Sequence, residues 1–150
     1  MRAVVQRVER ASISVDNRQI SRIGKGILVF LGIEKGDRQQ DADYLIDKTI
    51  NLRIFEDEQG KMNRSVLDVD AEVLVISQFT LLGDCRKGRR PSFTNAEEPA
   101  AAKDLYLYFL RRGSDALGKP VQGGEFQTMM KIENINEGPV TIMLDSRKLF

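Results

Sequence analysis

The chain has 150 residues, of which 41% are hydrophobic and 30% charged, and its formal net charge is +1. That is an ordinary globular composition with enough apolar residue for one buried core, so disordered, fibrous and membrane-spanning classes are set aside. One cysteine and no histidine exclude an internal disulfide, a Ser-His-Asp or Cys-His catalytic machinery and a histidine- or cysteine-rich metal centre.

The opening MRAVVQRVERASISV carries a charge every few residues, unlike a signal peptide or an anchor. The longest apolar run, Ile27 to Ile33, is too short to cross a bilayer. With the lone Cys85, this points to a reducing, cytoplasmic setting and no membrane partner. Arg2 to Val8 and Ala11 to Val15 read as strands, and polar and apolar residues alternate through Ser12-Ile13-Ser14-Val15. Asp16-Asn17 is a turn, and Gln19 to Ile23 returns as the hairpin partner. Gly24-Lys25-Gly26 breaks the pattern, and Ile27 to Ile33 is apolar on both faces, as in a central strand.

Asp37 with Gln40 forms a capping-box pair before a helix carrying Ala42, Leu45, Ile46, Thr49 and Ile50 at helical spacing. Leu52 to Glu56 resumes strand, Gln59-Gly60 turns, and Glu72 to Ser77 is a second buried strand. Asn95 with Glu98, or Thr94 with Glu97, caps a second helix whose inner face is Ala101, Leu105, Tyr108, Phe109 and Arg112. Lys119 to Gly123, Phe126 to Asn136 and Val140 to Asp145 finish as strands, with Asn136 to Thr141 as a turn between the last two. No repeat, linker or low-complexity tract divides the chain. The expectation is a single α/β domain over residues 1–150, layered, with mixed and antiparallel sheets and two main helices.

The chemistry concentrates between Leu74 and Phe93, LVISQFTLLGDCRKGRRPSF. A buried strand ends in Ser77, Gln78, Phe79 and Thr80. The two hydroxyls are either nucleophiles or groups that satisfy the backbone at a strand end. Asp84 is the one candidate base nearby in sequence. Cys85 is a reactive thiol beside two cations, or an incidental loop residue. Arg86, Lys87, Arg89 and Arg90 cluster before Pro91 and Phe93, as in a phosphate-binding loop with an aromatic nearby, or as a solvated basic loop. Asp68-Val69-Asp70 reads as a turn, and no DxDxDG, Walker or GxGxxG pattern occurs. No metal and no cofactor are expected.

Four stretches resemble the D-aminoacyl-tRNA deacylase family in order and over nearly all of the chain. They are MRAVVQRV, Ser77-Gln78-Phe79-Thr80-Leu81, Lys87-Gly88-Arg89-Arg90-Pro91-Ser92-Phe93, and Asn136 to Thr141. The resemblance implies hydrolysis of the ester joining a D-amino acid to the 3′ end of tRNA, in a chiral proofreading role that extends to glycine mischarged onto tRNA. It implies a homodimer, with Ser77, Gln78, Phe79 and Thr80 of one chain as the catalytic stretch. The Gly138–Pro139 turn of the other chain, with a cis bond, is the implied chiral selector, and Arg86, Lys87, Arg89 and Arg90 are implied to touch the tRNA. Two positions depart from the family's usual pattern: Glu137 stands for Asp, and Phe126-Gln127-Thr128 for Phe-Gly-Ala. Two rival readings are a non-catalytic RNA-binding module and a hydroxyl-nucleophile hydrolase of small esters.

Overall fold

In the computed structural model, which describes residues 1–150, the first and last long strands lie side by side and organise the rest. Arg2–Val15 is one strand, β1, not two; the irregularity at Glu9–Arg10 is absorbed as shifts of register against its neighbour. Its first half pairs antiparallel with β3 (Gly26–Gly32) and its second half with β2 (Arg18–Ile23). Its other edge is taken along nearly its whole length by β8 (Lys131–Asp145). Beyond β3 come β6 (Glu72–Ser77) and β7 (Gln122–Gly123), both parallel additions, so the six-stranded sheet is mixed. A small antiparallel hairpin, β4 (Phe55–Glu56) and β5 (Met62–Arg64), stands apart.

The central reading of Ile27 to Ile33 holds for a simple reason. Alternate residues of β3 and β6 feed two different cores. Ile27, Val29, Leu31, Val73 and Val75 join the main core with the helices, while Leu28, Leu74 and Ile76 join a smaller one with Val8 and Ile13. The main core is closed by α1 (Gln39–Ile50) and α2 (Pro99–Leu117).

Both helix starts differ from the expectation. Arg38 is the cap residue of α1, and the Asp41 carboxylate accepts its N–H at 2.9 Å. Asp37 is instead buried, accepting the Met1 ammonium at 2.7 Å and the Glu34 N–H at 2.7 Å. Neither Asn95 nor Thr94 caps α2, which begins with Pro99 at the first helical position, where no N–H needs an acceptor. The inner face of α2 is Tyr106, Phe109, Gly113 and Leu117, about one residue round from the expected stripe, and Ala101 and Arg112 are exposed. Tyr106 sets this rotation: its buried hydroxyl donates to the Val75 carbonyl at 2.9 Å and accepts the Gly124 N–H at 2.9 Å.

Four expected strands shrink or merge. Only Phe55–Glu56 and Gln122–Gly123 survive of two of them, and the last two are one strand, β8. Asn136 Oδ1 accepts the Val140 N–H at 3.1 Å, so the chain passes through its Gly-Pro turn and resumes the same line. β8 pairs only with β1, and Ile135 and Met143 stand exposed on it. No helix is long and apolar enough to cross a membrane.

Candidate active site

β6 ends at Ser77, opposite Leu31, and the Gln78 N–H donates to the Leu31 carbonyl at 2.8 Å. The chain then folds into one 3₁₀ turn, Phe79–Leu82. Glycine beneath it permits this: a Cβ on Gly32 would lie 3.1 Å from both the Gln78 carbonyl oxygen and Leu81 Cβ. Arg2 holds the turn from the side, its Nη1 donating to the Leu81 carbonyl at 3.2 Å.

The first N–H groups of such a turn have no partner within it. Those of Phe79 and Thr80 find no acceptor elsewhere in the chain either. Thr80 Oγ1 donates to Gln78 Oε1 at 2.6 Å. An amide oxygen is a poor base, so the hydroxyl is oriented without being activated. Phe79 is largely exposed and meets Phe93 edge to face, with ring centroids 5.1 Å apart.

The basic loop follows. Asp84 and Ser92 exchange backbone hydrogen bonds at 2.8 and 2.9 Å, closing a loop over Cys85 to Pro91. Arg86 folds back onto Asp84 through Nε at 2.9 Å, Nη2 at 2.7 Å and its backbone N–H at 3.0 Å. The guanidinium hydrogen bonds, then the backbone one, hold the Asp84 carboxyl down to about 2. Asp84 is therefore a tightly held anion and no base for Thr80. Lys87, Arg89 and Arg90 are exposed and enter no ion pair.

The Gly138–Pro139 turn is built differently. The bond is cis, and Gly138 has φ +132°, in the region open to glycine. A Cβ there would lie 2.8 Å from Val140 Cγ2, 3.0 Å from Val140 N and 3.3 Å from Arg7 Nη2. Arg7 is buried, and its Nε donates to the Glu137 carbonyl at 3.1 Å while Nη1 donates to the Ile54 carbonyl at 2.6 Å. Carboxylates of Glu137 and Glu56 stand 3.7 and 3.9 Å from it. Arg7 thus clamps the turn onto the body of the domain. Sequence reasoning passed over it, although one signal was present: it follows Ala3 and Val5 on the inward face of β1, where an unpaired charge would be costly.

The two halves do not meet within one chain. Along β1 the Gly-Pro turn lies beside Gln6 to Val8, whereas the 3₁₀ turn lies over Arg2 and Gly32. Five residues of strand separate them, about 17 Å at the usual rise.

The class is now defined: a small mixed α/β domain that carries free main-chain donors on a turn, a cationic loop behind them and a rigid glycine-proline turn at a distance. Residues 4–145 match the model of the family described as D-Tyr-tRNA(Tyr) deacylase, and the chain belongs to that family. It is 61% identical to the D-aminoacyl-tRNA deacylase of Syntrophus aciditrophicus strain SB and 54% identical to that of Clostridioides difficile strain 630, in each case over all of both chains. Among solved structures it is similar to one titled c-Myc DNA Unwinding Element Binding Protein, with TM-score 0.92 and 43% identity over 97% of this chain and 98% of that one. A structure titled as a probable eukaryotic D-amino acid tRNA deacylase shares the fold, with TM-score 0.81 and 18% identity over 96% of this chain and 98% of that one.

Proposed function

We propose that this member of the deacylase family, a hydrolase of the ester bond in D-aminoacyl-tRNA, reads handedness with main-chain atoms and takes its proton handling from the substrate. The observation that carries the reading is the pair of unclaimed N–H groups at Phe79 and Thr80, beside a Thr80 hydroxyl that has no base. Those amides receive the oxyanion as water adds to the ester carbonyl; a missing donor of this kind costs roughly 3–4 kcal/mol of barrier. The ribose 2′-hydroxyl accepts the proton from the attacking water and passes one to the departing 3′-oxygen. The acyl C–O bond breaks, and a free D-amino acid and tRNA with an intact 3′-hydroxyl leave. Ser77 and Gln78 position the ester and Thr80.

Selectivity is the harder task. Rejecting L-aminoacyl-tRNA a thousandfold needs about 4 kcal/mol. A side-chain pocket cannot supply this for many different D side chains, but a fixed wall of backbone can. Gly138 and Pro139 make that wall: one has no Cβ, the other a ring-locked φ, and Arg7 clamps the turn they form. Because the turn and the catalytic stretch of one chain lie far apart, the wall is donated by a second copy across a twofold contact. The exposed apolar residues of β8, Ile135 and Met143, fit such a contact. The same wall leaves room for glycine, so glycine mischarged onto tRNA is a second substrate. Lys87, Arg89 and Arg90 contact the acceptor end, and the protein works in the cytoplasm as a translation proofreader.

The test is hydrolysis of D-tyrosyl-tRNA and L-tyrosyl-tRNA side by side, repeated with a tRNA ending in 2′-deoxyadenosine. Loss of the D ester only, slowed sharply by the 2′-deoxy end, is expected. Retention of tRNA with the ester intact would instead favour a non-catalytic nucleic-acid binder, and cleavage of small esters that carry no ribose 2′-hydroxyl would favour a hydroxyl-nucleophile hydrolase.

A further inference from the structure

One cavity that neither the catalytic stretch nor the selector uses lies close to Thr80. It has a volume of about 470 Å³ and lies where the 3₁₀ turn runs into the basic loop, lined by Arg2, Gly83, Asp84, Arg86 and Asn95 among others. Gly83 and Asp84 follow Thr80 by three and four residues. The Gly83 N–H donates to the Thr80 carbonyl at 3.1 Å, so the cavity opens directly beside the turn, within the reach of a single nucleotide.

Its lining is largely polar. Leu82 is its large apolar member, so it does not suit an amino-acid side chain. The Arg86 guanidinium is highly exposed, yet its orientation is fixed by the paired bonds to Asp84. It presents a ready plane on which a heteroaromatic base stacks. The Asn95 side-chain amide is exposed and takes no hydrogen bond in the chain, leaving a donor and an acceptor side by side. Arg2 uses Nε on Asp145 and Nη1 on Leu81, leaving Nη2 free. Unpaired Lys87 and Arg89 stand next in the chain for a phosphate.

We propose that this cavity receives the base of the nucleotide immediately before the terminal adenosine, which in every tRNA is a cytidine. The cytosine stacks on Arg86, and its N3 acceptor and N4 amino donor match the amide of Asn95. Arg86 is then a stacking plane and not the phosphate contact that its place in the basic cluster suggests. This rests on the deacylase reading above, since the terminal adenosine must sit at Phe79 and Thr80 for the cytidine to reach.

Three probes test it: the D-tyrosyl esters of adenosine, of cytidylyl-(3′→5′)-adenosine, and of the same dinucleotide lacking the cytosine base. For the wild-type protein, kcat/KM for the dinucleotide is expected to exceed that for adenosine roughly tenfold, the advantage typical of one stacked base. The base-less dinucleotide should lose most of it. In Asn95→Ala and Arg86→Ala the ratio of dinucleotide to adenosine should fall below about twofold, a change of ratio that a general loss of folding does not produce. The proposal is overturned if wild type cleaves adenosine and dinucleotide esters equally, if the base-less probe keeps the full advantage, or if both variants retain the ratio. Hydrolysis of D-tyrosyl-tRNA with none of the three probes cleaved would overturn the subsite alone, whereas a wild type that also leaves D-tyrosyl-tRNA intact would defeat the deacylase reading.

Discussion

Replacing Gly138 by alanine puts a methyl group where the clamped turn has no room. The added Cβ would lie 2.8 Å from Val140 Cγ2 and 3.0 Å from Val140 N, closer than such atoms approach, and φ is +132°. Only Arg7 Nη2, at 3.3 Å, belongs to a side chain with freedom to shift, and Arg7 is itself fixed by the Ile54 and Glu137 carbonyls. Holding a non-glycine residue there costs on the order of 1–3 kcal/mol. A domain of this size is stable by roughly 5–15 kcal/mol, so the variant folds and relieves the strain by moving the turn. A displacement near 1 Å of a positioning element costs about a hundredfold in rate. Circular dichroism should therefore show a folded protein, while kcat/KM on D-tyrosyl-tRNA falls about a hundredfold and the D-over-L ratio shrinks. A folded variant with unchanged rate and unchanged chirality would refute the idea that this turn is the selector.

Other predictions follow from the same geometry. Thr80→Ala removes a hydroxyl that only bonds Gln78, so turnover should stay within about tenfold of wild type; single-turnover loss of more than a thousandfold would restore Thr80 as a nucleophile. Arg89→Ala with Arg90→Ala should weaken tRNA binding and lower the slope of log K against log salt by about 2, read by filter binding, with the D-over-L ratio unmoved. Burial raises the Tyr106 phenol to about 12. Its folded value lies above its unfolded one, so this contribution to stability is fully present below pH 10 and is lost as pH rises toward 12. One of the three tyrosines should ionise late in an ultraviolet titration, and Tyr106→Phe should cost about 1–3 kcal/mol in urea unfolding.

Much of the fold was legible because β3 and β6 are apolar at nearly every position, which only a strand buried on both faces requires. The errors came where a residue was claimed by something distant in sequence. Asp37 has the form of a helix cap but is taken by the Met1 ammonium, 36 residues away. The stripe on α2 was misplaced because Tyr106 looks like a surface tyrosine until Val75 supplies its partner. Gly138-Pro139 reads as a break between strands, but the bond from Val140 to Asn136 and pairing with β1 on both sides of the turn keep β8 continuous through it. The candidate catalytic stretch stood out through its hydroxyls and its resemblance, yet its free donors are backbone atoms that no side-chain pattern announces. Arg7 was missed because its role lies in carbonyls at Glu137 and Ile54, which any residues would provide.

The account depends most on a site shared between two copies, and subunit mixing tests that directly. Phe79→Pro deletes one main-chain donor and spoils the catalytic stretch, while Gly138→Ala spoils the selector. Each variant alone should be nearly inactive on D-tyrosyl-tRNA. After random exchange of equal amounts, half of the dimers are mixed and one of their two sites has both halves intact. Activity should therefore return to about a quarter of wild type. Failure of activity to return although mixed dimers form, or full activity from an isolated wild-type monomer, would contradict the shared site.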